Sequence, residues 1–504
     1  MKKTLLLLTV LLTISFGQAQ NLIDGLRYGT DLTTGTARFN AMSGAFGALG
    51  GDLSAIAINP AGSAVFLQNS AAFTLSLDGM ENSSNYFGNS TNNEDTELNI
   101  NQAGGVFLFD NFNEDSPWKK FSLALNFNQT QSHDNELFIQ GVGNTSIANF
   151  FLEQAQGLRL DLLELQGQGI SGRYANLGAT NGSRAQNAFL GFQAFIFDPL
   201  TNDPGNTQYT SNVAGNRFDH QYIYLSQGFN GKYSFNMGAQ YTDNFFFGIN
   251  LNSHVIDYEQ STLLFEDNQN TGSVVNQIDF ENNLSVLGAG FSAQIGMIAK
   301  LASDFRVGFT YDTPTWFVIS EETTQYLETV RTVDNQSITE IIDPRVINVF
   351  ADYNLRTPGK ITGSAAYIFG KDGLISLDYS YKDFSNMKFS PTNDGAFTVA
   401  NAEIKNTLKA VSSFKVGGEY RFNNLSLRGG FNYEESPYSD DTILGDRQGF
   451  SAGLGYNFGN YSFDLAYSRS EQSRNQELYS VGLTDTASID TIYNNFLFTL
   501  GLSL

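Results

Sequence analysis

The sequence predicts an all-β membrane protein: a 14-stranded antiparallel transmembrane β-barrel with an N-terminal plug (hatch) inside the lumen and helical insertions in a long extracellular loop. Three observations favour this fold. Apolar and polar residues alternate with a period of two in segment after segment. Short turns alternate with longer links between these segments, and the last segment is itself amphipathic, as in barrels of the outer membrane.

Residues 1–20 have the pattern of a secretory signal peptide. Lys2 and Lys3 precede an apolar stretch at 5–16, and small residues follow at Gly17 and Ala19. The stretch of about 12 residues is shorter than the roughly 20 that a spanning helix needs, so we expect cleavage near residue 20. The sequence contains no cysteine, which excludes a lipid anchor on cysteine, disulfides and thiolate metal sites.

The composition favours strands with one apolar and one polar face. The chain is 41% hydrophobic, yet its mean hydropathy is −0.21, and it contains 43 Phe, 23 Tyr and 49 Gly. Aromatic side chains are typical of the girdles at the two interfaces of a membrane barrel. The formal charge of −23 argues against a nucleic-acid partner, because phosphate binding requires clustered Lys and Arg.

Alternation is clearest at 450–458, where Phe450, Leu454 and Phe458 share one face with small or polar residues between them. The predicted strands lie at residues 71–79, 98–109, 119–130, 232–241, 245–264, 277–300, 304–321, 358–369, 373–384, 411–422, 425–436, 447–458, 460–471 and 492–504. A soluble β-sandwich is the alternative for alternating strands. The even strand count, the dense Phe, Tyr and Leu on one face and the amphipathic strand at 492–504 favour the barrel over residues 71–504.

Two segments do not read as barrel strands. Residues 21–70 contain a run rich in small residues from Arg38 to Leu67, and we expect this segment to form the plug, because a barrel of this size would otherwise enclose open water. Residues 131–231 form a predicted long extracellular loop with apolar residues at helical spacing. Its two apolar stripes either pack on each other or present a hydrophobic surface to a ligand. The candidate surface residues are Phe150, Phe151, Phe189 and Phe192.

Charged residues on the polar face of the strands are predicted to point into the lumen, since a lipid-facing charge at mid-depth costs roughly 2–4 kcal/mol. These residues are Asp378, Lys382, Lys415, Glu419, Arg421, Arg428 and Asp464. Their mixed signs favour internal ion pairs that brace the wall. A role for Arg421 or Arg428 in holding a ligand carboxylate is the alternative.

No catalytic constellation is present in the sequence. The three histidines, His133, His220 and His254, are scattered over two loop positions and a strand, so we expect no metal site and no His-based triad. The same scatter, with no paired His or Tyr motif, argues against bound heme. The sequence therefore predicts a protein that is not an enzyme and has no cofactor.

One motif carries a family resemblance. Asn59-Pro60-Ala61 lies within GGDLSAIAINPAG, just before the first predicted strand, and a second stretch, ASDFRVGFTYDTPTWF, spans residues 302–317. With these motifs the chain resembles the FadL/OmpP1/TodX family of outer-membrane transporters for long-chain fatty acids and aromatic hydrocarbons. The likeness is greatest to the Bacteroidetes-type members that are often labelled hemin receptors.

The resemblance implies a monomeric channel in the outer membrane of a Gram-negative cell, surrounded by lipid and lipopolysaccharide, for passive uptake of a hydrophobic small molecule. It implies that Asn59, Pro60 and Ala61 belong to a movable hatch, and that a kink in the third strand opens the wall sideways. That strand reads FSLALNFN at residues 121–128 and contains no glycine. The alternative function is a FadL-like barrel that serves as an accessory or shuttle in a protein secretion system.

Overall fold

The structure of the chain, a computed structural model, describes residues 22–30, 32–113 and 115–504. The predicted signal peptide at residues 1–20 lies outside the described residues. The 14 wall strands form one closed antiparallel sheet, because the first strand pairs with the second on one edge and with the last on the other. The closing ladder runs from Ser70 opposite Ser503 to Asn85 opposite Ser488. The predicted barrel is therefore confirmed.

The wall strands are numbered in chain order, and some consist of two successive pieces. They are β1 (Ser70–Tyr86), β2 (Asn89–Asp110), β3 (Trp118–Ser132 and Asn135–Gly143), β4 (Phe218–Tyr241), β5 (Phe245–Asp267), β6 (Val275–Lys300), β7 (Phe305–Asp312 and Trp316–Val333), β8 (Tyr353–Arg356 and Lys360–Phe369), β9 (Gly373–Asp383), β10 (Ala410–Phe422), β11 (Leu425–Glu434), β12 (Arg447–Asn457), β13 (Tyr461–Glu477) and β14 (Thr486–Ser503). Short strands at Gln336–Ile342 and Asn348–Val349 pair with β7, and Lys388–Ser390 pairs with the first piece of β8.

Two kinds of connection define the two ends of the barrel. Tight links join β4 to β5, β6 to β7, β8 to β9, β10 to β11 and β12 to β13, and they lie at what we call the short-turn end. The other end, the long-link end, carries the larger insertions. Along each strand, large apolar side chains such as Phe450 and Leu454 are exposed on the outer face, whereas Ser451 between them is buried. This outward apolar row suits contact with hydrocarbon.

The backbone ladder is interrupted at defined positions. In β7 the break includes Pro314, which has no backbone N–H to donate to a neighbouring strand. In β3 the break falls at His133 and Asp134, and the piece after it pairs with β4 but not with β2. Among the described residues, β2 pairs with β3 only from Gln102 to Asp110. Residues 89–101 of β2 and 129–143 of β3 therefore face each other without a backbone ladder, and this is called the wall gap below.

Several strands extend beyond their predicted bounds. The sequence predicts a long link between the first two strands, but β1 and β2 meet in a tight turn at Phe87 and Gly88, which both have positive φ. The predicted loop at 131–231 begins with the second piece of β3 and ends with residues 218–231 of β4. The outer parts of β1 and β2 are polar on both faces, so the alternation that reveals a strand is missing there. The second piece of β3 instead has buried apolar residues, Leu137 and Ile139, in one cluster with the cap, so in sequence it merges with the apolar segments of the cap.

The plug, residues 22–69 as described, contains α1 (Leu22–Gly29), α2 (Ala37–Ala41) and short 3-10 helices at Ser54–Ala57 and Pro60–Val65. Wall glycines let it approach the inner face closely. A Cβ on Gly248 would lie 2.2 Å from the carbonyl carbon of Pro60, and one on Gly296 would lie 2.0 Å from Oδ1 of Asn59. Small residues on the plug and glycines on the wall therefore permit direct backbone contact.

The helical cap, residues 144–217, lies between β3 and β4. It contains α3 (Ala148–Ala155), α4 (Leu160–Leu163), α5 (Ile170–Asn181), α6 (Ser183–Gln193) and a small hairpin of Phe197–Pro199 with Tyr209–Ser211. The link between β9 and β10 holds a 3-10 helix at Phe384–Asn386 and α7 (Gly395–Thr407). No helix in the described part of the chain has the length and apolar composition that a membrane-spanning helix requires.

Candidate functional site

The motif Asn59-Pro60-Ala61 joins two parts of the plug to the wall. Asn59 is 1% exposed, and its Nδ2 donates to the carbonyl oxygens of Gly47 at 2.7 Å and Met297 at 3.0 Å. Its Oδ1 accepts from the backbone N–H of Ala61 at 3.1 Å, which caps the 3-10 helix that begins at Pro60. One buried side chain thus holds a turn, a helix start and strand β6 together.

Charged wall residues on β9 and β10 contact the plug directly. The carboxylate of Asp378 accepts from the backbone N–H groups of Phe46 and Gly47, each at 3.0 Å. Nζ of Lys382 donates to the carbonyl oxygen of Gly29 at 2.5 Å, and Nζ of Lys415 donates to Oγ1 of Thr33 at 3.1 Å. Each of these charges satisfies a polar group that the plug brings into the lumen.

The remaining predicted charges form one network around Glu419. Arg38 of the plug donates from Nε to Oε2 of Glu419 at 2.8 Å. Arg421 and Arg428 of the wall bond to the same carboxylate, at 2.6 Å and 2.7 Å, and Arg428 also bonds to Asp464 at 2.6 Å. The structure thus brings together four of the predicted lumen residues, namely Glu419, Arg421, Arg428 and Asp464. It adds Arg38 of the plug, whose partner the local sequence does not indicate.

On the opposite wall, amide side chains of Asn and Gln bind the plug, and no sequence motif marks these residues. Nδ2 of Asn250 donates to the carbonyl oxygen of Ile56 at 2.8 Å. Nε2 of Gln294 donates to the carbonyl oxygens of Ala57 and Ile58, both at 3.1 Å. In the sequence, the signal that could identify these donors is an Asn or Gln at an inward-facing position of an alternating strand. These donors bind carbonyl groups that the short 3-10 helix of the plug leaves unpaired at its end.

An apolar cluster fills the lumen around α1. Leu22 and Leu26 of α1 are 3% and 7% exposed. They belong to a buried cluster with Tyr28 that also contains residues of the wall strands, of α7 and of the links that follow β9 and β11. These residues are Ile256, Tyr258, Val286, Phe317, Ile319, Tyr353, Leu355, Phe384, Met387, Phe389, Phe397, Ala400, Ile404, Leu408, Val411 and Tyr438. The lumen is therefore not a uniformly polar pore. It contains an apolar region in which side chains of the plug pack against the wall and the links.

The plug also lies behind the wall gap. The backbone N–H of Leu32 donates to the carbonyl oxygen of Thr130 at 3.0 Å, an acceptor in the stretch of β3 that does not pair with β2. The backbone N–H of Gly35 donates to Oδ1 of Asn101 at 2.5 Å on the other side of the gap. A cavity of about 50 Å³ adjoins this contact; Leu32 and Met80 line it together with polar side chains that include Asp78, Asp95 and Asp134. The plug thus supplies hydrogen bonds that the interrupted ladder lacks.

The four phenylalanines predicted as a loop surface are packed inside the cap. Phe151 and Phe189 are fully buried, Phe150 is 7% exposed, and Phe192 is partly buried against the same cluster. The surface interpretation is therefore wrong, and the packing alternative describes the cap. Two short amphipathic helix faces bury more apolar area against each other and against the strands than either could alone.

The cap is also anchored to the wall by polar contacts. Burial raises the pKa of Tyr174 to about 12, so its hydroxyl stays protonated and donates to Oε1 of Gln325 on β7 at 2.7 Å. Oγ of Ser146 donates to Oε1 of Glu266 at 2.5 Å at the start of α3. The cap is therefore attached to the barrel at the long-link end rather than suspended as a free loop.

The histidines lie apart and have ordinary partners. A ring nitrogen of His133 is 2.9 Å from Oδ1 of Asn230, one of His220 is 3.0 Å from Glu266, and one of His254 is 2.8 Å from Oγ of Ser292. Among the residues that the structure describes, no three His, Cys, Asp or Glu side chains are grouped as a metal site would require.

Residues 194–479 match the model of a family described as outer membrane protein transport protein (OMPP1/FadL/TodX), and this span is more than half of the chain. No curated protein matches the sequence. Among solved structures, the fold is similar to a FadL homologue of Pseudomonas aeruginosa, with a TM-score of 0.54 and 13% identity over 94% of this chain and 99% of that one. It is similar to the toluene transporter TodX of P. putida, with a TM-score of 0.51 and 14% identity over 94% and 99% of the two chains.

Proposed function

The chain belongs to the outer membrane protein transport family (OMPP1/FadL/TodX) and is an outer-membrane barrel, and from this premise we propose that it is a passive channel for hydrophobic small molecules. The family and the fold are those of transporters and channels rather than enzymes. We propose long-chain fatty acids or aromatic hydrocarbons as the substrates. The single observation that carries the proposal is the apolar cluster around α1, because a path for hydrophilic solutes has no use for buried apolar side chains in its lumen.

The cluster explains how a filled lumen can accept a ligand. Leu22 and Leu26 occupy apolar space between wall strands and α7, and burial of each such side chain contributes about 1.5–3 kcal/mol. A hydrophobic ligand of similar surface recovers this free energy when it replaces them. The exchange of α1 for ligand is therefore close to balanced, and no external energy source is needed.

Movement of the plug has a second consequence at the wall gap. Leu32 and Gly35 bond to the two sides of the gap, so a shift of α1 toward the lumen centre pulls on the contacts that close it. We propose that the ligand leaves sideways through the gap into the membrane. The interruption at His133 and Asp134 supports this route and requires no glycine in β3, because residues 129–134 have no backbone partner in β2. Further along, side chains of Asn89 and Asn93 bond to the backbone of Gln140 and Phe138, so the opening lies beside the break and not along the whole second piece.

We propose that Asn59, Pro60 and Ala61 serve as the fixed end of this movement. One bond of Asn59, to Met297, ties the second half of the plug to β6, and the other two fix the plug's own turn and helix start. The Leu22 and Leu26 side chains of α1 have apolar contacts only, although the carbonyl oxygen of Gly29 at its end accepts a bond from Lys382. Hydrophobic packing tolerates a change of occupant, and directed hydrogen bonds do not. We further propose a monomer surrounded by lipid and lipopolysaccharide, since the first and last strands of the chain pair with each other instead of with a second copy. No observation on the fold or the relatives favours the secretion alternative.

Uptake in cells tests the proposal. The chain is expressed in a host that lacks a barrel of this family, and uptake of labelled toluene and oleate is compared with uptake of labelled sucrose. We expect faster entry of the hydrophobic compounds only. Phe397→Asp places a charge in the apolar cluster and should lower uptake, whereas Val399→Asp, on the exposed face of the same helix, should leave it unchanged. Hydrophobic uptake no faster than in empty cells, at normal barrel abundance, would contradict the function.

A further inference from the structure

A vestibule opens at the short-turn end of the barrel, on the far side of the plug from the apolar cluster. Its volume is about 600 Å³, and turn residues such as Asn424 and Asn457 line it together with wall side chains. Its lining includes four basic side chains and two acidic ones, which are Arg38, Lys371, Arg421, Arg428, Asp372 and Asp464. None of these residues lines the cavity at the wall gap. The vestibule is thus a separate compartment of the molecule.

The vestibule is locally cationic in a chain that is strongly acidic. Four basic and two acidic side chains line it, so the lining has a formal charge of 4 − 2 = +2, against −23 for the whole sequence. Two further carboxylates, Glu419 and Asp52, are buried behind this lining beside Arg38 and bring the formal charge of the whole region to zero, so the excess of positive charge belongs to the side chains at the cavity surface. A local excess of positive charge in a concave site attracts anions.

Arg421 has N–H donors that its contact with Glu419 does not use. Its Nε and Nη2 both bond to the same oxygen, Oε1 of Glu419, at 2.8 Å and 2.6 Å. The side chain is nevertheless 46% exposed, in contrast to the 5% of Arg428, which spans Glu419 and Asp464. A guanidinium carries five N–H donors in a rigid plane, so donors of Arg421 remain on the cavity side.

We propose that this vestibule binds an oxyanion, a carboxylate or phosphate group that enters from the short-turn end. Arg421 and Lys371 provide the primary contacts, since planar guanidinium donors match two oxygens of such a group and an ammonium adds a point charge. Arg38 gives the site a direct contact with the plug, because it lies in α2 and lines the same cavity. The site does not depend on the identity of the hydrophobic substrate or on the lateral route.

Calorimetric titration of the purified, detergent-solubilised full chain tests the proposal. Inorganic phosphate is titrated first, followed by lysophosphatidic acid and, as a neutral-headgroup comparison, lysophosphatidylcholine with the same acyl chain. Phosphate binding identifies a free oxyanion as a sufficient ligand, and selective binding of lysophosphatidic acid identifies a lipid head group. Either result supports the site. Affinity should fall as salt is raised from low to physiological strength, because the cavity is open to solvent.

Substitutions locate the site. Lys371→Gln lies in a turn and Arg421→Gln at the cavity surface, and each should weaken binding by about tenfold, the effect of losing roughly 1.4 kcal/mol of charge attraction. Lys405→Gln removes an exposed lysine of α7 at the long-link end and should change nothing. Heat-modifiable gel migration confirms that every variant is folded. The proposal would be overturned if neither phosphate nor lysophosphatidic acid bound, or if the Lys371→Gln and Lys405→Gln variants had equal affinity.

Discussion

Arg38 of the plug and Glu419 of the wall form a two-point ion pair across the lumen. Nε of Arg38 lies 2.8 Å from Oε2 of Glu419, and Nη2 lies 3.3 Å from Oε1. The Glu419 side chain is 0% exposed and that of Arg38 is 19% exposed. This ion pair holds one side of the plug, and the amide contacts described above hold the opposite side. The plug is therefore bonded to the wall on two sides of the lumen.

Replacing Glu419 by Gln should destabilise the plug strongly. The substitution leaves three guanidinium groups, those of Arg38, Arg421 and Arg428, with Asp464 as the nearest wall carboxylate. Removing one partner of a buried ion pair lowers the free energy of unfolding by about 3–5 kcal/mol. The midpoint of denaturant unfolding should fall, and planar-bilayer recordings should show transient openings. Glu403→Gln on the exposed side of α7 is the control. Matching unfolding midpoints in the two variants would show that the network does not hold the plug.

Deleting Arg38–Leu67 should convert the protein into an open pore. The segment fills the lumen through bonds to β5, β6 and β9, whereas the wall strands close on each other through backbone ladders that do not involve it. The truncated barrel should fold, remain heat-modifiable and pass small hydrophilic solutes. Single-channel conductance is the measurement. A conductance equal to that of the full chain would mean that the segment does not obstruct the pore.

Asn59 and Pro60 should differ in their effect on transport. Asn59→Ala removes three hydrogen bonds of about 0.5–1.5 kcal/mol each, and Pro60→Ala only relaxes the start of one short helix. Uptake of a labelled long-chain fatty acid should fall in both variants, and further in Asn59→Ala, at normal abundance in the outer membrane. Asn424→Ala in an exposed turn serves as control. Unchanged uptake in both variants would leave the motif a purely structural role.

The two ends of the barrel should face different compartments, with the short-turn end in the periplasm. The native chain has no cysteine, so single introduced cysteines report without background. Asn424→Cys and Asn460→Cys lie in short turns, and Ser439→Cys lies in the link between β11 and β12. An impermeant maleimide applied to intact cells should label only Ser439→Cys. The reverse labelling pattern would invert the topology.

Filling the cavity behind the wall gap should slow transport. Met80 lines this cavity from the inner face of β1, and a tryptophan there adds volume in a space of about 50 Å³. Leu77→Trp, on the outer face of the same strand, places the same side chain toward lipid. Toluene uptake should fall in Met80→Trp and not in Leu77→Trp, with equal barrel abundance. If both variants transport equally well, the ligand does not pass the gap.

The barrel was predictable because lipid imposes a simple rule on sequence. A strand between hydrocarbon and a polar interior must alternate, and the alternation from Phe450 to Phe458 or from Phe496 to Leu504 follows from that requirement alone. The same rule does not hold outside the membrane. Water contacts both faces of the outer parts of β1 and β2, and the cap covers one face of the second piece of β3, so none of these segments has the alternation that lipid imposes.

Alternation also assigned Glu419 and Arg428 to the polar face, but it could not name their partners. Arg38 lies 381 positions before Glu419, and only the closure of the barrel brings the plug beside β10. The same limit applies to Asn250, whose acceptor is Ile56 of the plug, and to Phe151, whose apolar face is covered by the cap and β6 instead of being offered to a ligand.

By itself, the sequence determined the membrane-barrel class and the number of wall strands, and it predicted the small-residue plug and the inward face of seven strand charges. These properties are local or periodic, because they depend on what each strand residue meets across a few ångströms of lipid or lumen. Only the tertiary structure decided where the β2–β3 ladder stops, which wall groups bond to the plug and what fills the apolar cluster. Those outcomes depend on contacts between residues far apart in the chain, and the free energy of such contacts is not encoded in any single segment.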